Sequence, residues 1–179
     1  MHRGAMRSLR LIALAWLAGC AHADLLENGV LHKGDLTLQL GPIPEGWRQV
    51  EVDGGDLAYR DEARAASALL DVRCRRDDDA PLAALTAHLI MGTTERVIDK
   101  QEVVAFDGRE AMHTLLYAKL DGVPMRYDIY VLKKDGCVED IVYVAPPDRF
   151  QAGAAEFERF ALGLHVSSSA PAGTSARAP

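Results

Sequence analysis

The chain has 179 residues and a mass of 19.5 kDa, the size of one ordinary domain. Apolar residues make up 49% and charged residues 26%, which excludes disordered and fibrous classes. Twenty Lys and Arg against 26 Asp and Glu give a formal charge of −6. That balance leaves no surplus for a basic face that would displace counterions from phosphates, so no nucleic-acid partner is expected. Three cysteines are too few for a disulfide scaffold.

Arg3, Arg7 and Arg10 precede the apolar run Leu11 to Leu17, and small residues follow. A basic segment, a short apolar core and a small-residue exit are the three parts of an export signal. The apolar stretch through Ala21 has 11 residues, against roughly 20 for a membrane-spanning helix, so a retained span is not expected. The signal closes on Leu17-Ala18-Gly19-Cys20, which resembles the lipobox of bacterial lipoproteins. The resemblance implies cleavage before Cys20, a thioether-linked lipid on its sulfur, and palmitate-type acyl chains holding the protein to a membrane. An ordinary secretory signal cut near Ala21 or Ala23 is the alternative. Ala21, standing where an Asp would favour inner-membrane retention, implies by the same resemblance the outer membrane, with the body facing the periplasm. Loss of residues 1–19 takes three positive charges from −6 and leaves −9. Such a body gains nothing from anionic lipid, so the acyl chains tether it alone.

Residues 20–34 read as a tether, with Asn28-Gly29 and Lys33-Gly34 as turns, and residues 35–165 as one domain. Residues 166–179, rich in Ser, Ala, Pro and Gly, read as a disordered tail. The domain opens with the alternating strand Leu36 to Leu40. Trp47 to Val52 and Leu57 to Arg60 are further extended runs. Ala66 to Arg75 alternates, with Ala66, Ala68, Leu70, Val72 and Cys74 on one face. Asp77-Asp78-Asp79-Ala80-Pro81 is a helix-start signal, and Leu82, Leu85 and Leu89 follow at helical spacing. Four strand-like runs come next, from Arg96, Glu110, Val123 and Cys137, and the first three end in Asp-Gly. Asp-Gly between alternating runs signals tight hairpins, so this half is an antiparallel meander. Pro147 starts a last helix with Phe150, Ala154, Phe157 and Ala161 on one stripe.

Strands, helix, meander and terminal helix define an α+β class: an antiparallel sheet flanked by helices. The Pro44-x-Gly46-Trp47 entry, the helix around Leu82 to Leu89 and the Gly108-Arg109-Glu110-Ala111 hairpin resemble the PsbP-like (Ran-binding Mog-type) family. So does the closing pattern Val144-Ala145-Pro146…Phe150…Phe157…Phe160. The resemblance covers most of Trp47 to Leu162 and implies an α/β/α sandwich. That family has no common catalytic residue set, so no catalytic residue is carried over. Nothing in the sequence matches photosystem or Ran contacts.

Cys74 ends one strand and Cys137 begins another. In an oxidising compartment they are candidates for a disulfide closing a loop of about 60 residues, and two buried thiols are the alternative. No His pair has metal-ligand spacing, and the Asp77 to Asp79 run lacks calcium-loop spacing, so no metal and no cofactor is expected. His113 alternates with Ala111, Leu115 and Tyr117 as a sheet histidine. A dyad with Cys137 or Asp140 is the catalytic alternative. Asp128 and Asp140 lie among apolar residues and need partners, for which Arg126 and Arg109 are candidates. No nucleophile-elbow, phosphate-loop or dinucleotide motif is present. The expected function is therefore a lipid-anchored envelope protein, partnered with the membrane through its lipid and with another envelope protein. It would act without catalysis as an assembly, scaffolding or binding factor. A small hydrolase-like periplasmic enzyme and a binder of small apolar ligands are the alternatives.

Overall fold

The computed structural model describes residues 25–74 and 79–169. Eleven strands and two helices follow one another: β1 Leu25–Glu27, β2 Val30–Lys33, β3 Leu36–Gln39, β4 Trp47–Val50, β5 Leu57–Asp61, β6 Ala66–Cys74, α1 Leu82–Leu89, β7 Thr93–Phe106, β8 Arg109–Leu120, β9 Val123–Lys134, β10 Cys137–Ala145, α2 Pro147–Leu162 and β11 His165–Ser168. They build a seven-stranded sheet, ordered β4-β5-β6-β10-β9-β8-β7, and a four-stranded sheet, ordered β1-β2-β3-β11. Every pairing is antiparallel. The three Asp-Gly pairs form the hairpin turns of the meander. Both central residues of each have positive φ (Asp107 45°, Gly108 72°; Asp121 50°, Gly122 81°; Asp135 51°, Gly136 80°), as a two-residue turn matched to strand twist requires.

The large sheet has two apolar faces. On one, α2 lays Phe150, Phe157, Phe160 and Ala161 onto Tyr59, Leu70, Tyr130, Ile141 and Tyr143. The four-stranded sheet adds Leu31, Leu36, Leu38 and Val166 to the same core. Aromatic rings tie this core together. Phe157 lies 5.3 Å from Tyr143 and 6.2 Å from Tyr130, and Trp47 lies 5.5 Å from Phe160. On the other face the eight residues of α1 cover Leu116, Ala118, Tyr127, Ile129, Val131 and Val138. The α/β/α expectation thus holds with an added β layer on the α2 side.

Three expectations are corrected. Residues 25–33 are not tether: Asn28 (φ 51°) and Gly29 (φ 77°) form a tight turn between β1 and β2, and Leu31 is buried against Leu38. An Asn-Gly pair between short apolar runs is itself a hairpin signal. Residues 166–168 are not tail: β11 pairs with β3, and Val166 is buried. The start of α1 is capped by Pro81 without a side-chain hydrogen bond, so Asp79 is not its cap. Asp77, Asp78, Cys20 and the export signal lie outside the described residues. Among those described, no helix is long and apolar enough to cross a membrane.

Cys74 and Cys137 face one another across β6 and β10, with Cα atoms 4.0 Å apart, and are joined in a disulfide. The bond closes a loop of 63 residues, which on the chain-entropy account contributes about 4 kcal/mol. Reduction is expected to lower the unfolding free energy by that order in a urea titration, and an unchanged midpoint would contradict it. Gly153 sits inside α2, where alanine would ordinarily gain about 1 kcal/mol. A Cβ there would lie 2.2 Å from Tyr143 Oη. Gly153→Ala is therefore expected to lower the melting temperature, not raise it.

Candidate functional site

The two faces of the large sheet differ in how fully they are covered. On the α1 face, the register places Ile98 beside Leu116 and Val103 beside Met112, with Leu120 and Val123 paired at the end of the meander. These four side chains, and Met91 just past α1, keep 44–60% of their surface in solvent. Leu82, Leu85, Leu89, Met112, Met125, Val142 and Val144 on this face are only partly buried. A helix of eight residues is about 12 Å long and cannot roof strands of twelve and fourteen residues. An apolar apron therefore surrounds α1. Isolated exposed apolar side chains are ordinary. Here several share one face, interrupted by the hydrogen-bonded Gln101–Thr114 pair between Ile98 and Val103, and their concentration on that face makes it the candidate surface.

At the start of α1 the apron meets a shallow hollow of about 660 Å³ lined by Leu82, Ala105, Gly108, Arg109, Glu110 and Lys133. Lys133 donates to the Ala80 carbonyl at 3.2 Å and approaches Asp79 at 4.0 Å. Arg109, assigned above to a buried carboxylate, makes no ion pair among the described residues and stands exposed at this end of the apron. The volume lies in the range of ligand sites, but the lining is an open mixture of apolar and charged groups and not an enclosed apolar cavity.

The edge of this sheet is guarded. Strand β7 is a border strand, bonded to β8 alone. Its pairing slips twice, between Thr94 and Val97 and between Ile98 and Lys100, and it carries Glu95, Arg96, Asp99, Lys100 and Glu102. Bulges and charges on a border strand oppose further strand addition. The β7 edge is therefore guarded against strand addition, whereas the α1 face keeps apolar side chains in solvent.

The carboxylates found by sequence all have partners, but different ones. His113 Nε2 lies 2.8 Å from Asp128 Oδ1, and the imidazole stacks on Tyr130 with centroids 4.3 Å apart. Asp140 accepts from Arg73 at 2.6 Å. Burial pushes the Asp140 carboxyl up, and Arg73 opposes that only in part. Arg126 pairs with Asp99 and sits over the Phe150 ring. The proposed His113 dyads with Cys137 or Asp140 are not formed, because Cys137 is bonded to Cys74 and Asp140 belongs to Arg73. His113 and Asp128 satisfy one another beneath an aromatic stack, the arrangement of a structural pair. Among the described residues no group of three or more His, Cys, Asp or Glu side chains is placed to hold a metal ion.

Glu139 was not singled out by sequence. It alternates on β10 with Cys137, Ile141 and Tyr143 and points into the larger core, fully buried. Neither carboxyl oxygen meets a hydrogen-bond partner on another residue. Burial pushes this carboxyl up to about 8. A lone Glu at an inward position of a strand flanked by apolar residues was the signal available.

Neither a protein-family model nor a curated protein sequence matches the chain. Solved structures do. Cyanobacterial PsbP (CyanoP) from Synechocystis sp. PCC 6803 superposes with a TM-score of 0.56 at 15% identity, over 86% of this chain and 99% of that one. LpqN, involved in cell envelope biogenesis of Mycobacterium tuberculosis, gives 0.54 at 15% identity, over 77% and 89%. The Ran-binding protein Mog1p of Saccharomyces cerevisiae gives 0.51 at 13% identity, over 74% and 90%. At such identities the likeness is one of fold: an antiparallel sheet between helices, in the PsbP and Mog1 manner.

Proposed function

We propose that this is a lipid-anchored bacterial cell-envelope protein that acts by binding and not by catalysis, with the α1 apron as its binding surface. One observation carries the anchor: Leu17-Ala18-Gly19-Cys20 closes a basic, apolar, small-residue signal. The likeness in fold to LpqN, itself involved in envelope biogenesis, supports the same address. Ala21 favours the outer membrane, with the body in the periplasm. The disulfide suits an oxidising compartment.

The occupant we assign to the apron is a protein segment with an apolar stripe and an acidic residue at one end. Apolar complementarity is set by Ile98, Val103, Leu120, Val123 and Met91. The acid would meet Arg109 and Lys133, which flank the hollow where the apron ends. A bilayer surface fits less well, because the processed body at −9 is repelled by anionic headgroups.

The anchor is tested by detergent-phase partition of the expressed protein. Wild type is expected in the detergent phase and Cys20→Ser in the aqueous phase; wild type in the aqueous phase contradicts the reading. The surface is tested by a photo-crosslinker at position 103 in intact envelopes. A discrete heteromeric adduct is expected that is lost with Arg109→Glu and absent when the crosslinker sits at exposed position 62. A homodimer, a lipid adduct, or an adduct indifferent to Arg109 contradicts it. An apron kept for binding and not for folding also predicts that Ile98→Ser with Val103→Ser shifts stability by no more than about 0.5 kcal/mol each. Ile129→Ala beneath α1 should cost about 2–5 kcal/mol. Thermal unfolding of the purified variants reads both.

A further inference from the structure

The four-stranded sheet is held to the seven-stranded sheet by two ionic clasps. In the first, Lys33 at the end of β2 donates to Asp56 and, at 2.6 Å, to the carbonyl of Val72 on β6. Asp56 in turn accepts the Val72 N–H at 2.7 Å. In the second, Asp107 in the β7–β8 turn accepts from Lys134 at 2.6 Å, from His165 Nδ1 at 2.9 Å and from the Val166 N–H of β11 at 2.8 Å.

Glu139 stands between these clasps. Its neighbours in register are Val72 on β6, a member of the first clasp, and Leu132 on β9, two residues before Lys134 of the second. The side chain is fully buried, and its oxygens find no partner on another residue. The charged groups that act on it are Asp135 from the β9–β10 turn, Lys134 at the end of β9 and Asp107 from the β7–β8 turn. From the four-stranded sheet, Lys33 reaches the region through Asp56 and the Val72 carbonyl, and His165 through Asp107. Among the described residues, Lys134 is a cation whose charge acts on Glu139, and while both clasps are closed it is engaged by Asp107.

We propose that the four-stranded sheet is a lid whose closure requires a neutral Glu139, so that ionisation of this buried carboxyl loosens the lid from the large sheet. Among the described residues, the covalent links between the lid and the rest of the body are residues 40–46 and Gly163-Leu164. It also begins five positions after Cys20. Its release would lengthen the connection between anchor and body and give the α1 apron more reach from the membrane.

The sign follows from linkage. Closed, Glu139 keeps its proton up to about 8; exposed, it would ionise near 4.3. Between those values the closed lid holds one proton more than the open lid, so closure weakens as pH rises. The open fraction then grows up to tenfold per pH unit and levels off above about 8. Asp107 does not share this behaviour. Burial raises its carboxyl, but the hydrogen bonds from Lys134, Val166 and His165 outweigh burial and hold it below the ordinary range.

Hydrogen–deuterium exchange of the full processed chain in detergent micelles, from pH 6 to pH 9 and corrected for intrinsic rates, tests the lid. Amides of residues 30–39 and 165–168 are expected to lose protection by up to tenfold per pH unit to about pH 8, while residues 127–132 and α2 stay protected. Glu139→Gln should remove the pH dependence. Should that variant fail to fold, Asp107→Asn serves in its place: it should lower lid protection at pH 6 and leave the pH slope unchanged. Three results overturn the proposal: a flat wild-type profile, an equal slope in Glu139→Gln, or loss of protection in lid and core together.

Discussion

Strand β10 sets the terms for the whole molecule. It lies in the middle of the seven-stranded sheet, and it encloses apolar side chains on both faces, Ile141 and Tyr143 on one and Val138 on the other, beside the buried carboxyls of Glu139 and Asp140. A central strand of this kind needs cover on both faces, since each exposed apolar side chain forfeits about 25 cal/mol per Å² of burial. One face receives a sixteen-residue helix and a second sheet, and the other receives an eight-residue helix. That inequality produces the closed aromatic core on the α2 side and the open apron on the α1 side.

The acidic side chains show the same logic at smaller scale. Each carboxylate placed in the sheet has to be paired or neutral. Asp128 is paired by His113 and Asp140 by Arg73. Asp107 gathers the Lys134 ammonium, the His165 ring and a backbone N–H and turns a hairpin loop into a clasp between sheets. Glu139 has no partner and is held near neutrality by its surroundings. A polar group left in this state inside a core makes the lid closed over it dependent on protonation.

Much of the large sheet was legible because its signals are local. Asp-Gly at 107, 121 and 135 fixes three turns within two residues, and alternation from Ala66 to Val72 reads directly as a buried face. Other features depend on contacts distant in sequence. The strands at residues 25–33 and 165–168 are short and look like linkers until β3 brings them together. The partner of Asp128 was misread because charge type suggests arginine, whereas register places His113 within reach and turns Arg126 toward Asp99. The apron could not be read at all: Ile98 and Val103 look like ordinary sheet residues, and only the short reach of α1 leaves them bare.

The account turns on the α1 face being exposed in the isolated protein and occupied in the cell. Carbene footprinting of the lipid-anchored protein, purified and in intact envelopes, measures this directly. Modification of the purified protein is predicted to concentrate at Met91, Ile98, Val103, Leu120 and Val123, and to fall at those positions in the envelope. Equal labelling of these residues in both preparations would contradict the account.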